Sequence, residues 1–133
     1  MAVFFYSIFL LLYRIAVNFS STWNNKARKW IAGRKNIFEK IKLGIEKSRS
    51  RIVWVHCSSL GEFEQGKPVM EKIKQQFPGI KLLITFFSPS GYEVKKSYAG
   101  ADYVFYMPMD SKRNARKFLD IVNPTLVIFI KYD

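Results

Sequence analysis

Hydrophobic and polar positions divide the chain into three regimes. Residues 1–19 are almost wholly apolar. The stretch from Ala2 to Tyr13 carries no charge and is rich in Phe, Leu, Ile and Tyr, and Arg14 is the only charge in the segment. In residues 20–51 apolar positions thin out among cations. Ile31, Ile37, Phe38, Ile41 and Ile45 recur at near-helical spacing, an amphipathic pattern suited to a surface. From Ile52 onward, short continuous apolar runs alternate with helical stripes. Strands are predicted over Ile52–His56, Ile80–Phe87, Tyr103–Met107 and Thr125–Ile130. Helices are predicted over Gly61–Phe77, Tyr92–Tyr98 and Ser111–Val122, closed by Pro78-Gly79 and by Asn123-Pro124.

Alternation of continuous apolar strands with helices predicts an α/β domain, a Rossmann-like parallel sheet covered on both faces with right-handed crossovers. Ligands of such sheets bind beyond the carboxyl ends of the strands. That rule selects four loops: Cys57–Glu62, Phe87–Gly91, Met107–Asp110 and Lys131–Asp133. Neither GxxxxGK[ST] nor GxGxxG occurs, so the chain offers no standard nucleotide cradle.

The first segment reads as a membrane anchor. A bilayer span takes about 20 mostly apolar residues, and Arg14, near the end of the run, can snorkel toward headgroups. No basic region precedes the run and no small-x-small site follows it, which argues against a secretory leader. The alternative is a buried core helix. Trp23 and Trp30 stand where interfacial aromatics belong, and the basic run begins at Lys26. Positive charge on that flank places residue 20 onward in the cytoplasm. Cations there would lie against anionic lipid at about 1 kcal/mol each; the alternative is an ordinary solvated helix face.

Charge sharpens this division. The 133 residues hold 22 Lys and Arg against 10 Asp and Glu, a net +12. The three segments 1–19, 20–51 and 52–133 carry +1, +8 and +3. Concentration in the middle segment is unlike the even basic field of a nucleic-acid binder, and no nucleic-acid partner is expected. A hydrophobic fraction of 49% with 24% charged residues excludes a disordered chain and a multi-span membrane protein. The single cysteine, Cys57, excludes an internal disulfide framework and a CxxC zinc site; no metal is expected.

Among the loops, Ser59 followed three residues on by Glu62 fits a capping box. The same carboxylate also lies at the mouth of the sheet beside a helix N-terminus, placed to accept a proton from a substrate hydroxyl as a general base. Gly61 leaves room for close approach of a bulky substrate. Ser88-Pro89-Ser90-Gly91 supplies two hydroxyls and open N–H groups, suited either to an anion or to ordinary capping. His56 ends a strand and reads as a packed residue. Asp110 is read as the cap of the helix beginning near Ser111, and Asp133 as a second carboxylate facing the same mouth as Glu62.

The run Ile52–Glu62, IVWVHCSSLGE, resembles the start of the catalytic domain of the 3-deoxy-D-manno-octulosonic acid (Kdo) transferases, where a strand enters a Ser-x-Gly-Glu turn. Thr85–Gly91, TFFSPSG, resembles their Thr-x-Thr-Pro-Thr-Gly loop, and Tyr106–Asp110, YMPMD, their Leu-Pro-x-Asp element. Ile121–Asp133 is similar to their stretch ending in an acidic residue. The four motifs occur in family order behind an apolar anchor. The resemblance implies the N-terminal, acceptor-side part of a GT-B glycosyltransferase, moving Kdo from CMP-Kdo to a lipid A precursor in lipopolysaccharide synthesis. It implies an inverting displacement without metal or cofactor on the cytoplasmic face of the bacterial inner membrane. It further implies Glu62 as the catalytic base and Asp133 as the second important carboxylate, with Ser58, Ser59, Gly61, Ser88, Ser90 and Gly91 lining the acceptor cleft. Lys131-Tyr132-Asp133 departs from the family's usual Glu-Thr-Glu. The donor domain that holds CMP-Kdo is not within these residues, so the chain alone is expected to be inactive, since displacement needs both reactants in one geometry. Two other readings stand beside it: a membrane-tethered interaction domain without chemistry, and another lipid-linked GT-B sugar transferase.

Overall fold

The computed structural model describes residues 1–45 and 50–131. Four strands, β1 (Ile52–Cys57), β2 (Lys81–Phe86), β3 (Tyr103–Tyr106) and β4 (Leu126–Ile130), form one parallel sheet in the order β3-β2-β1-β4. The expected α/β architecture is present. Val55 pairs with Ile84 on one side and Ile128 on the other, and His56 lies between Thr85 and Phe129.

Side chains alternate across the pleat and build two cores. On one face, Ile52, Trp54 and Leu83 pack with Phe118 and Val122 of α6 (Lys112–Val122) and with Ile37, Ile41 and Ile45 of α3 (Ile37–Ile45). On the other, Val53, Val55, Leu82, Ile84 and Phe86 pack with Phe63 and Met70 of α4 (Leu60–Gln76). The short α5 (Pro89–Lys95) closes the β2–β3 side, and its Tyr92 touches both cores. The chain leaves β1 through α4 on one face and returns to β4 through α6 on the other. That reversal puts a topological switch point between β1 and β4, where the crevice of a doubly wound sheet opens.

Two expectations are corrected. The apolar stripe of residues 20–51 does not face a membrane surface. Ile37, Ile41 and Ile45 are buried under the sheet, so the folded layer begins before residue 52. The stripe has the same periodicity whichever surface covers it, and the uncovered face of the sheet is the nearer one. The last strand, expected to be buried on both sides, is an edge: Leu126 is 50% and Phe129 60% exposed.

Two helices precede this sandwich. α1 (Ala2–Ser20) continues through a turn into α2 (Asn25–Arg34), capped by the Asn24 side chain, which accepts from the Lys26 N–H. Asn36, between α2 and α3, has φ 54°, a left-handed conformation that Asn tolerates better than most residues. Arg34 ties α2 to the sheet. Its Nε donates to the Met107 carbonyl at 2.9 Å and its Nη2 to the Phe87 carbonyl at 2.8 Å. The guanidinium lies over the Trp30, Phe87 and Tyr106 rings. Burial lowers its pKa to about 10, against the opposing influence of Tyr106 and Tyr13.

Candidate active site

The first two selected loops meet at the mouth of the sheet. The Ser88 N–H donates to the Ser58 carbonyl at 2.9 Å, so the β1–α4 and β2–α5 turns are joined by backbone. The capping box is complete. Ser59 Oγ accepts from the Glu62 N–H at 3.4 Å, and Glu62 Oε2 accepts from the N–H groups of Ser58 and, at 3.3 Å, of Ser59. The capping reading of Glu62 is thus realised. One oxygen is fixed by two amides; among the described residues nothing bonds to Oε1, and the side chain is half-buried.

Ser58 is half-buried and its Oγ lies 3.4 Å from His56 Nε2. Gly61 is exposed in the first turn of α4. In the second turn, Ser88 caps α5 by accepting from the Gly91 N–H, and its Oγ lies 2.8 Å from that of Ser90. Gly91 is buried, and a Cβ there would collide with the Phe86 ring. Packing requires glycine at that position. Asp133 lies outside the described residues.

A polar chain unread in the sequence runs along the same rim. Trp54 Nε1–H donates to Thr85 Oγ1 at 2.8 Å, and His56 Nδ1 lies 2.9 Å from the same oxygen. Thr85 is fully buried. Thr85 Oγ1 thus joins the indole and the imidazole, and His56 Nε2 faces Ser58. Burial lowers the His56 pKa; the Glu62 charge and the Thr85 backbone oppose the shift, and Arg34 adds to it. The imidazole is therefore neutral at pH 7. Next to it, burial and the Glu62 charge push the Cys57 thiol up to about 12, so Cys57 is no thiolate nucleophile.

His56 and Ser58 form the polar wall of a cleft of about 670 Å³ at the switch point, whose apolar walls include Trp54, Phe118 and Phe129. Asp110 also lines it. It does not cap α6, a role taken by Ser111, which accepts from the Asn114 N–H at 3.1 Å; instead Asp110 accepts from the Tyr6 hydroxyl of α1 at 2.6 Å. Glu62 is not among the residues lining this cleft. Among the described residues, no group of three His, Cys, Asp or Glu side chains is gathered to hold a metal ion.

The fold and the site together define an α/β domain with a fixed carboxylate and a neutral imidazole at the mouth of a parallel sheet. A family model described as 3-deoxy-D-manno-octulosonic-acid transferase (kdotransferase) matches residues 35–133. The chain belongs to this family. Similar proteins include the 3-deoxy-D-manno-octulosonic acid transferase of Chlamydia muridarum, 33% identical over 101 residues, which are 71% of this chain and 23% of that protein. Those of Haemophilus influenzae and Rickettsia prowazekii are 28% identical over 80 residues and 26% over 121, covering 59% and 89% of this chain and 19% and 26% of theirs. The chain thus spans about a quarter or less of these curated relatives. No solved structure matches it. The family match begins at Lys35, ahead of β1, in keeping with the burial of α3.

Proposed function

We propose that this chain is the acceptor-side domain of a Kdo transferase and that Glu62 is the base of the reaction. In this reading the ionised carboxylate takes the proton from a hydroxyl of a lipid A precursor as that oxygen attacks the anomeric carbon of Kdo. The bond to the CMP phosphate breaks, and inversion at that carbon follows from the single displacement. CMP-Kdo would be held by the part of the relatives that this chain does not span. Asp133 is proposed as the second carboxylate. The acceptor sits in the bilayer, so the reaction is placed at the cytoplasmic face of the inner membrane.

The observation that carries the reading is the state of Glu62: Oε2 pinned by two backbone amides, Oε1 uncommitted among the described residues, at the carboxyl end of the first strand. A pinned base costs little reorganisation during proton transfer. Ser58 and His56, beside it, offer donors to an acceptor sugar. The completed capping box favours a second reading, a membrane-tethered interaction domain in which Glu62 only caps a helix.

Titrating a short-chain lipid A precursor into the isotope-labelled chain separates the two. The catalytic reading predicts amide shifts concentrated at Ser58, Ser59 and Gly61. Saturation without any change at those amides excludes it.

A further inference from the structure

We propose that α1 does not cross the bilayer but lies along its surface, with one face on the folded domain and the other in the headgroup–acyl boundary. The helix is long and apolar enough to cross a membrane by length and composition. Its contacts argue otherwise. Leu10, Tyr13 and Val17 are half-buried and, with Tyr6, form a stripe at helical spacing. That stripe meets the domain at Tyr6 and Tyr13. The Tyr6 hydroxyl donates to Asp110 at 2.6 Å, and the Tyr13 ring packs edge-on against Trp30 at 5.9 Å. Tyr6 and Ser20 are about 21 Å apart along the axis at 1.5 Å per residue. If α1 crossed the membrane from Ser20 inward, Asp110 and the loop before α6 would be carried deep into hydrocarbon, where a carboxylate is expensive.

The opposite side of α1 is uncovered and apolar. Phe4, Leu11, Leu12, Ile15 and Phe19 are 56–69% exposed. An amphipathic arrangement of this kind beds about 5–10 Å into the boundary. The occupant of this face is an anionic bilayer, and the charges beside it are of the matching sign. Arg14 shares an open cleft of about 520 Å³ with Lys35 and Lys117, where among the described residues the only acidic lining residue is Glu39. Among the described residues, Arg14, Lys35 and Lys117 have no carboxylate partner, and lipid phosphates would supply one. Arg34 also lines the cleft, but its donors are committed to backbone carbonyls. This inference does not depend on the acceptor or on the role of Glu62.

Spin labels on the full chain test it. Single cysteines replace Phe4, Leu11, Ile15 and Phe19 in a Cys57→Ala background, and label depth is measured in phosphatidylethanolamine vesicles containing phosphatidylglycerol. A surface helix predicts one common depth, within about 5 Å, at all four positions. A gradient of about 22 Å from position 4 to position 19 is the signature of a span and overturns the proposal; so does the absence of lipid contact at these sites. For the cations, changing Arg14, Lys35 and Lys117 together to Gln is expected to weaken binding to these vesicles by tenfold or more. Changing Lys67 and Lys72 of α4 and Lys96 at the end of α5 removes the same charge and should weaken it less than threefold. Equal losses in the two triple variants overturn the cleft's part in the contact.

Discussion

Arg34→Met removes the tie between the helical N-terminal region and the sheet while keeping most of the side-chain volume. Two bonds between elements are lost, to the Phe87 and Met107 carbonyls. Each charge-assisted bond of this kind contributes about 1.5–3 kcal/mol. Part of that is offset because a buried guanidinium without a carboxylate partner carries a desolvation cost. The net expectation is a destabilisation of about 3 kcal/mol, which lowers the melting temperature by about 9 °C for a chain of this size. Arg34→Lys keeps a cation but can reach only one of the carbonyls, and should fall about midway. Urea unfolding followed by tryptophan fluorescence gives the stability, and hydrogen exchange at the Ser88 and Met107 amides reports whether the rim loosens. An Arg34→Met protein within about 0.5 kcal/mol of the parent, with unchanged exchange at those amides, would refute the reading of α2 as an integral part of the fold.

Ile41 is fully buried between α3 and the sheet, so Ile41→Ala should cost about 3 kcal/mol in the same unfolding measurement; a helix facing lipid or water would lose far less. Ser59→Ala removes the cap of α4 and should cost about 1 kcal/mol by thermal melting. Gly91→Ala forces a Cβ into the buried Phe86 ring and should lower expression of folded protein and the melting temperature together. The depressed pKa of His56 gives a pH dependence with a definite sign. As pH falls below 6.5 the unfolded chain takes up a proton that the folded imidazole resists, so stability declines from pH 6.5 down through the lowered folded value. His56→Gln should flatten that part of the stability–pH curve relative to the parent, and a parallel curve would contradict the assignment.

The strands and helices from residue 52 onward were legible because each apolar run and each stripe has one place to go in a covered parallel sheet. Glu62 was legible as a capping residue, and the capping box is complete in the structure. What could not be read was which surface covers a stripe. The periodicity of Ile37, Ile41 and Ile45 is the same against a sheet as against a membrane, and only the tertiary arrangement decides. Arg34 was one cation among ten in its segment, and nothing local distinguishes a guanidinium that will be buried on carbonyls from one that will be solvated. Its spacing of four from Trp30, which stacks the two side chains, was the available hint. Thr85 was hidden because a hydroxyl inside a strand looks like any β-branched residue until His56 and Trp54 are brought across from β1 by the register.

The most direct test of the catalytic assignment is Kdo transfer by a chimera in which residues 35–133 replace the matching segment of the Haemophilus influenzae transferase. The chimera is expected to transfer Kdo to a lipid A precursor. Its Glu62→Gln form, which keeps an oxygen for the Ser58 and Ser59 amides, should still fold and bind acceptor but lose at least a hundredfold in turnover. Turnover in the Gln form within a few-fold of the parent chimera would contradict the role of Glu62 as base.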